Sequence, residues 1–210
     1  MSKLPILLIG AGGHARACID VIELEGRFTV HGLLGLKDQV GAKVLGYPVI
    51  GTDDDLQSLR QHQSHALVTV GQIKSPEPRM RLFNLLKSCA FEAPVIVSPR
   101  AHVSRHAALA CGTIVMHGAV VNAGAMVGEN CILNSLSLIE HDARIGAHCH
   151  VSTAAAINSG VHIAAGTFIG SNSSVRQGVH VGERCVIGMG QRVLKNCDPG
   201  TQLPAAVHRP

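Results

Sequence analysis

The sequence predicts two domains, a small Rossmann-like α/β domain followed by a parallel β-helix. Three observations predict them. The first is an internal repeat of period six: every sixth residue from Val97 to Val193 is aliphatic, seventeen positions without exception, among them Val115, Leu133, Ile157 and Ile187. The second is a column four residues further on, from Ala101 to Cys185, that holds only small side chains. The third is the order strand, glycine-rich turn, helix over Leu4 to Leu24.

A period of six matches neither the 3.6 residues of a helical turn nor the alternation of a long strand. It matches a parallel β-helix, in which three hexads, about eighteen residues, complete one triangular coil. Coils then stack about 4.8 Å apart, and the repeated aliphatics form a continuous core of roughly five coils. Gly128, Gly146 and Gly182 recur at multiples of eighteen, with Ala110 and Ala164 in the same column. They are expected at a corner that needs positive φ. The corner containing Ser104, Asn122, Glu140, Asn158 and Arg176 is polar.

In the N-terminal part, a strand over residues 4–9 leads into Gly10-Ala11-Gly12-Gly13-His14-Ala15 and a helix through Ile19, Val21 and Ile22. A strand over 28–34, the run Tyr47–Ile50, and a helix capped by Thr52-Asp53-Asp54-Asp55 follow. A strand at 66–70, a helix from Pro78 through Leu86 and a strand at 94–97 complete the pattern. Alternating strands and helices argue a parallel sheet. The α/β domain is expected over residues 1–96 and the solenoid over 97–210, with the Pro- and Gly-containing tail from Lys195 as an irregular strap.

The glycine-rich turn lets backbone N–H groups at a helix N-terminus approach a phosphate. As a dinucleotide fingerprint it is imperfect, because Ala15 stands where the third glycine would, and the second strand ends in Gly35-Leu36 with no acid for an adenine ribose. The pattern argues against NAD. A net charge of +4 with scattered basic residues and 2% aromatics argues against nucleic acid. Phosphorylated small molecules remain compatible. Seven cysteines without a CxxC pair read as buried thiols in a reducing cytoplasm. The apolar run at 4–9 is too short to span a membrane, so no membrane insertion is expected.

The densest chemistry is Glu140-His141-Asp142. A carboxylate beside an imidazole stabilises its charged form, raises its basicity and fixes its tautomer, so His141 is a candidate general base. The alternative is an ordinary surface histidine on a turn. His150 lies nine residues on, half a coil away; if both histidines serve one site, that site joins two subunits. His162 and His180, eighteen apart, should stack, either as part of a metal site or as an exposed pair.

With Gly10-Ala11-Gly12-Gly13-His14, Ile132-Leu133-Asn134, Ile139-Glu140-His141-Asp142 and His150-Val151-Ser152, the whole chain resembles the sugar O-acyltransferase family. These are left-handed β-helix (hexapeptide-repeat) acetyltransferases that include sialic acid O-acetyltransferases and bacterial nucleotide-amino-sugar N-acetyltransferases. The resemblance implies a cytoplasmic homotrimer with acetyl-CoA in a groove between neighbouring solenoids and a nucleotide sugar on the N-terminal domain. It implies His141 as base supported by Asp142 or Glu140, and His150 against the acetyl carbonyl. Gly170, Ser171, Gly188 and Met189 would line the CoA groove, while Gly12, Gly13, His14 and Asn134 would contact the sugar substrate; no metal is implied. Arg144, Arg176 and Arg184 are further candidates for contact with the CoA phosphates.

Two departures from the family pattern stand out. Gly35-Leu36 replaces an acidic pair, and Leu203-Pro204-Ala205-Ala206-Val207 replaces the usual close of the solenoid. The expected activity is N-acetylation of a nucleotide-linked amino sugar for surface glycan synthesis. O-acetylation of a nonulosonic acid, a zinc hydratase on the same solenoid, and a non-catalytic nucleotide-sugar-binding subunit stay open at this level.

Overall fold

The computed structural model describes residues 3–205. The chain divides into two compact units, residues 1–71 with 77–98, and residues 72–76 with 99–210.

The first unit is built on a five-stranded sheet in which β1 (Leu4–Ile9) lies between β2 (Phe28–Leu34) and β5 (His65–Val68), all parallel. β4 (Tyr47–Gly51) adds in parallel beside β2, and the short β3 (Lys43–Val44) closes that edge antiparallel to β4. β3 carried no recognisable signal, since two residues are too few to show a period. Ile6 to Ile9 are buried, as expected of a central parallel strand covered on both faces. Helix α1 (Gly13–Glu25) ends at Gly26, whose φ of 81° allows its N–H to return to the Ile22 carbonyl at 3.1 Å. The Thr52 run opens a 3₁₀ turn and only four residues of α-helix, α2 (Leu56–Leu59); the Thr52 N–H donates to the Asp55 carboxylate at 2.8 Å. Helix α3 (Glu77–Ser88) buries Leu82, Phe83 and Leu86 in a core with Leu7, Ile9 and Val68.

In the second unit every strand is two residues long, and up to the last coil each pairs in parallel with the strand eighteen residues on, as in Val120 with Leu138 and Leu138 with Ala156. Three such ladders form the sides of a prism. One runs from His102–Val103 to Arg192–Val193, a second from Ala108–Leu109 to His180–Val181, and the third carries Ile114–Val115, Ile132–Leu133, His150–Val151, Phe168–Ile169 and Val186–Ile187. The aliphatic column is buried from Val115 onwards, and the small column from Thr113.

The small column also joins successive coils through its polar atoms. Thr113, Thr167 and Ser173 each donate a hydroxyl at 2.8 Å to a carbonyl fifteen residues on, those of Gly128, Gly182 and Gly188. The same oxygens accept the N–H groups of Cys131, Cys185 and Gln191. The Cys131 and Cys149 thiols reach the Gly146 and Ala164 carbonyls at 3.1 Å in the same way. Cysteine therefore serves here as a small residue with a weak donor. Burial holds the Cys149 thiol well above its ordinary pKa. Cys111 departs from the expectation of buried thiols and is exposed.

Two expectations require correction. Gly128, Gly146 and Gly182 do not have positive φ; that conformation belongs to the residue two positions later, as at Asn130, His148 and Arg184, with φ of 55–58°. Glycine recurs because coils approach closely: a Cβ on Gly128 would stand 2.6 Å from the Ala147 nitrogen. The tail is also less irregular than its composition implies. Cys197 bridges to Val181, and Gln202–Leu203 pairs in parallel with Val186–Ile187, adding a last strand to the third face. Val186 faces a residue sixteen positions on, so this last coil is two residues short. Residues 206 onwards, including Ala206 and Val207, lie outside the described part.

Candidate active site

Two cavities gather most of the residues singled out above. In the first unit, a cavity of about 320 Å³ lies at the C-terminal ends of β1, β2 and β5 and is lined by Gly12, Gly13 and His14. This is where ligands bind in open α/β sheets, outside the carboxyl ends of the strands. Gly35 and Leu36 form part of its wall. Four polar lining residues escaped the sequence reading: Gln39, Asp53, Thr69 and Arg81. Asp53 belongs to the helix-capping run, yet its carboxylate meets the Arg81 guanidinium at 2.8 Å. No local pattern joins residues on a capping turn and a helix so far apart in the chain.

The second cavity, about 820 Å³, lies on the third face of the solenoid. Asn134, His150, Gly170, Ser171, Gly188 and Met189 all line it. Gly170 and Gly188 leave backbone as the floor, because the next coil passes too close for side chains; a Cβ on Gly170 would stand 2.5 Å from the Met189 nitrogen. Ser152 and Ser171 face each other there, their hydroxyls 2.9 Å apart. Phe168 supplies an apolar wall and sets its ring edge-on to His150, with centroids 5.2 Å apart. Asn134, expected among the sugar contacts, lines this groove beside His150.

The charged lining residue is Lys74. None of Arg144, Arg176 and Arg184 lines the groove, because those positions belong to other faces and corners. Lys74 lies in the segment 72–76, outside the hexad repeat, and its role had no sequence signal. Gln202, Leu203, Pro204 and Ala205 complete the rim.

The candidate base lies apart from both cavities. His141 follows the strand Leu138–Ile139 and precedes Arg144–Ile145, at the corner between the first and second faces. Its Nδ1 is 2.8 Å from Asp142 Oδ2, and its side chain is 59% exposed. An ionised carboxylate only accepts, so Nδ1 carries the hydrogen and the Nε2 lone pair is the basic atom. Glu140 does not reach the ring: its carboxylate accepts from Asn122 Nδ2 at 3.0 Å and from the His141 backbone N–H at 3.2 Å, bracing the turn. Of the two acids flanking His141, only Asp142 acts on the imidazole.

His162 and His180 lie in register on successive coils, and their rings meet edge to face rather than stacked, with centroids 5.3 Å apart and planes inclined at 68°. Among the described residues, no third histidine, cysteine or acid joins them as a metal-binding group. No helix among the described residues is long and apolar enough to cross a membrane.

The first unit matches the family model described as PglD N-terminal domain, over residues 5–86, and residues 160–194 match the hexapeptide repeat of succinyl-transferase. The perosamine N-acetyltransferase of Caulobacter crescentus, solved as a histidine-to-asparagine variant with CoA and GDP-perosamine, is 30% identical over 96% of this chain and 93% of that one, with a TM-score of 0.89. The chain belongs to the hexapeptide-repeat sugar acetyltransferases. It is also similar to the acetyltransferase domain of PglB from Neisseria gonorrhoeae, solved with acetyl coenzyme A, at 28% identity over 96% of both chains and a TM-score of 0.86. WeeI from Acinetobacter baumannii, at 18% identity over 95% of this chain and 96% of that one, shares the fold with a TM-score of 0.82. No curated protein matches by sequence. The solenoid is thus a left-handed β-helix, and the expected fold class, family and acyltransferase activity are borne out.

Proposed function

We propose that this acetyltransferase moves the acetyl group of acetyl-CoA onto the amino group of a nucleotide-linked amino sugar. The observation that carries the reading is the sorting of the expected residues into two cavities. Those expected at the acyl donor share the solenoid groove, and Gly12, Gly13 and His14, expected at the nucleotide sugar, share the cavity at the glycine-rich turn. The likeness to an enzyme described with CoA and GDP-perosamine supports it.

In this reading the sugar amine attacks the thioester carbon as His141 Nε2 takes its proton, and Asp142 stabilises the imidazolium. The carbonyl oxygen carries the charge of the tetrahedral intermediate. Its collapse breaks the C–S bond, and the imidazolium protonates the departing thiolate to give CoA and an acetamide. The apolar Phe168 wall and the backbone floor suit a pantetheine arm, and Lys74 suits its phosphates.

The corner of His141 and the face of His150 are half a coil apart, on different sides of one prism. This supports a homotrimer in which the groove of one subunit meets the His141 corner of the next, the closed ring using one interface three times. The chemistry of both substrates supports a cytoplasmic setting.

The test is mass-spectrometric detection of acetyl transfer from acetyl-CoA to a panel of nucleotide-linked amino sugars and free nonulosonic acids, with His141→Ala alongside. Product on a nucleotide amino sugar that disappears in the variant is the expected result. Product confined to nonulosonic acids would replace N- by O-acetylation.

A further inference from the structure

Two backbone groups fix the hydrogens of the pair His150 and Asn134 in the solenoid groove. The carbonyl oxygen of Gln72 lies 2.6 Å from His150 Nδ1, and a carbonyl only accepts, so Nδ1 carries the hydrogen. On the other side, the Ser135 N–H donates to Asn134 Oδ1 at 2.8 Å, which identifies the amide oxygen. Asn134 Nδ2 therefore faces His150 Nε2, at 3.2 Å. An amide nitrogen only donates, so Nε2 receives that bond through its lone pair.

The imidazole is thus neutral, with its one hydrogen committed to Gln72 and its lone pair to Asn134. It has no N–H left for an acyl group. Asn134 Nδ2 has two hydrogens and spends one on His150. Gln72 itself is buried, and its side-chain Nε2 donates to the carbonyls of His148 at 3.0 Å and Gly166 at 3.3 Å, which hold its backbone against the coils.

We propose that Asn134 Nδ2 donates to the thioester carbonyl oxygen, and that His150 is a positioning residue that orients this amide through a tautomer set by the Gln72 carbonyl. This rests on the acetyl-transfer reading above. It moves the expected contact with the acetyl carbonyl from His150 to Asn134. As the amine attacks, the carbonyl oxygen gains charge, and the amide N–H stabilises it without giving up its proton. The donor is neutral and keeps its hydrogen across the whole range in which the base is active.

The tautomer is measured directly by long-range ¹H–¹⁵N correlation on histidine-labelled protein, and the donor by the kinetics of Asn134→Ala and Asn134→Asp. The expected results are a bare Nε2 and a protonated Nδ1 on His150. Both variants should lose about 10²-fold or more in kcat, the usual scale for one oxyanion donor, with the KM for the sugar little changed. Asn134→Asp discriminates further, because its carboxylate would stabilise a charged His150. If an imidazolium were the donor, that variant would keep its kcat within a few-fold. Gln72→Ala should lose the single tautomer and lower kcat by up to about 10²-fold, as for displacement of a catalytic group from a distance. A ring protonated at Nε2, or an active Asn134→Asp, overturns the inference whatever the other results; absence of transfer by the unaltered protein would overturn this inference and the function reading together.

Discussion

Asp142 Oδ2 accepts from His141 Nδ1 at 2.8 Å while Asp142 itself holds a φ of 61°. The acid that orients the base thus also makes the tight corner of its coil. Asparagine tolerates this left-handed conformation about as well as aspartate. Asp142→Asn is therefore a change of charge with little change of backbone. It should lower kcat by roughly 10–10³-fold, within the range for impaired base catalysis, with an unchanged melting temperature. An unaltered kcat would remove Asp142 from the proton transfer.

Lys74 is the cation of the solenoid groove and is exposed on the segment before helix α3. Lys74→Ala should raise the KM for acetyl-CoA about three- to tenfold with kcat unchanged, the pattern for loss of uniform binding. The difference between the two proteins should shrink as salt rises, because the contact is screened. Initial-rate measurements at two ionic strengths decide it.

Thr167 is fully buried and makes two bonds between coils, donating to the Gly182 carbonyl and accepting the Cys185 N–H at 3.1 Å. Valine has nearly the same shape and neither function. Thr167→Val leaves a donor and an acceptor on the next coil, the Cys185 N–H and the Gly182 carbonyl, unsatisfied. It should cost about 1–3 kcal/mol for each unpaired group, seen as an earlier urea midpoint. Turnover at low denaturant should be retained.

Cys18 on helix α1 is completely buried, and burial pushes its thiol up to about 12, against a smaller opposing pull from the Arg79 guanidinium. The folded state thus holds this proton more tightly than the unfolded chain, whose thiol ionises near its ordinary value of 9.0. The stabilising contribution is whole below pH 9 and is lost as the pH rises from there towards 12. Thermal melts should fall over that range, and less steeply in Cys18→Ala. Parallel melting curves for the two proteins between pH 8 and 11 would rule Cys18 out as the source.

The sequence by itself determined the solenoid, because its information is local and periodic. A side chain that must meet its equivalent in the next coil has to recur every eighteen residues, and Val115 to Val193 record that constraint directly. The Gly12-Gly13-His14 turn and the Glu140-His141-Asp142 run were legible for the same reason, being contiguous. Tertiary structure decided what depends on residues far apart in the chain. Gln72 meets His150, Asp53 meets Arg81, and Lys74 enters the groove through contacts that no short pattern encodes. It also decided which of two neighbouring carboxylates serves the ring. Asp142 faces His141 because the corner turns through positive φ at that residue, while Glu140, one position before the histidine, is drawn to Asn122 on the coil before.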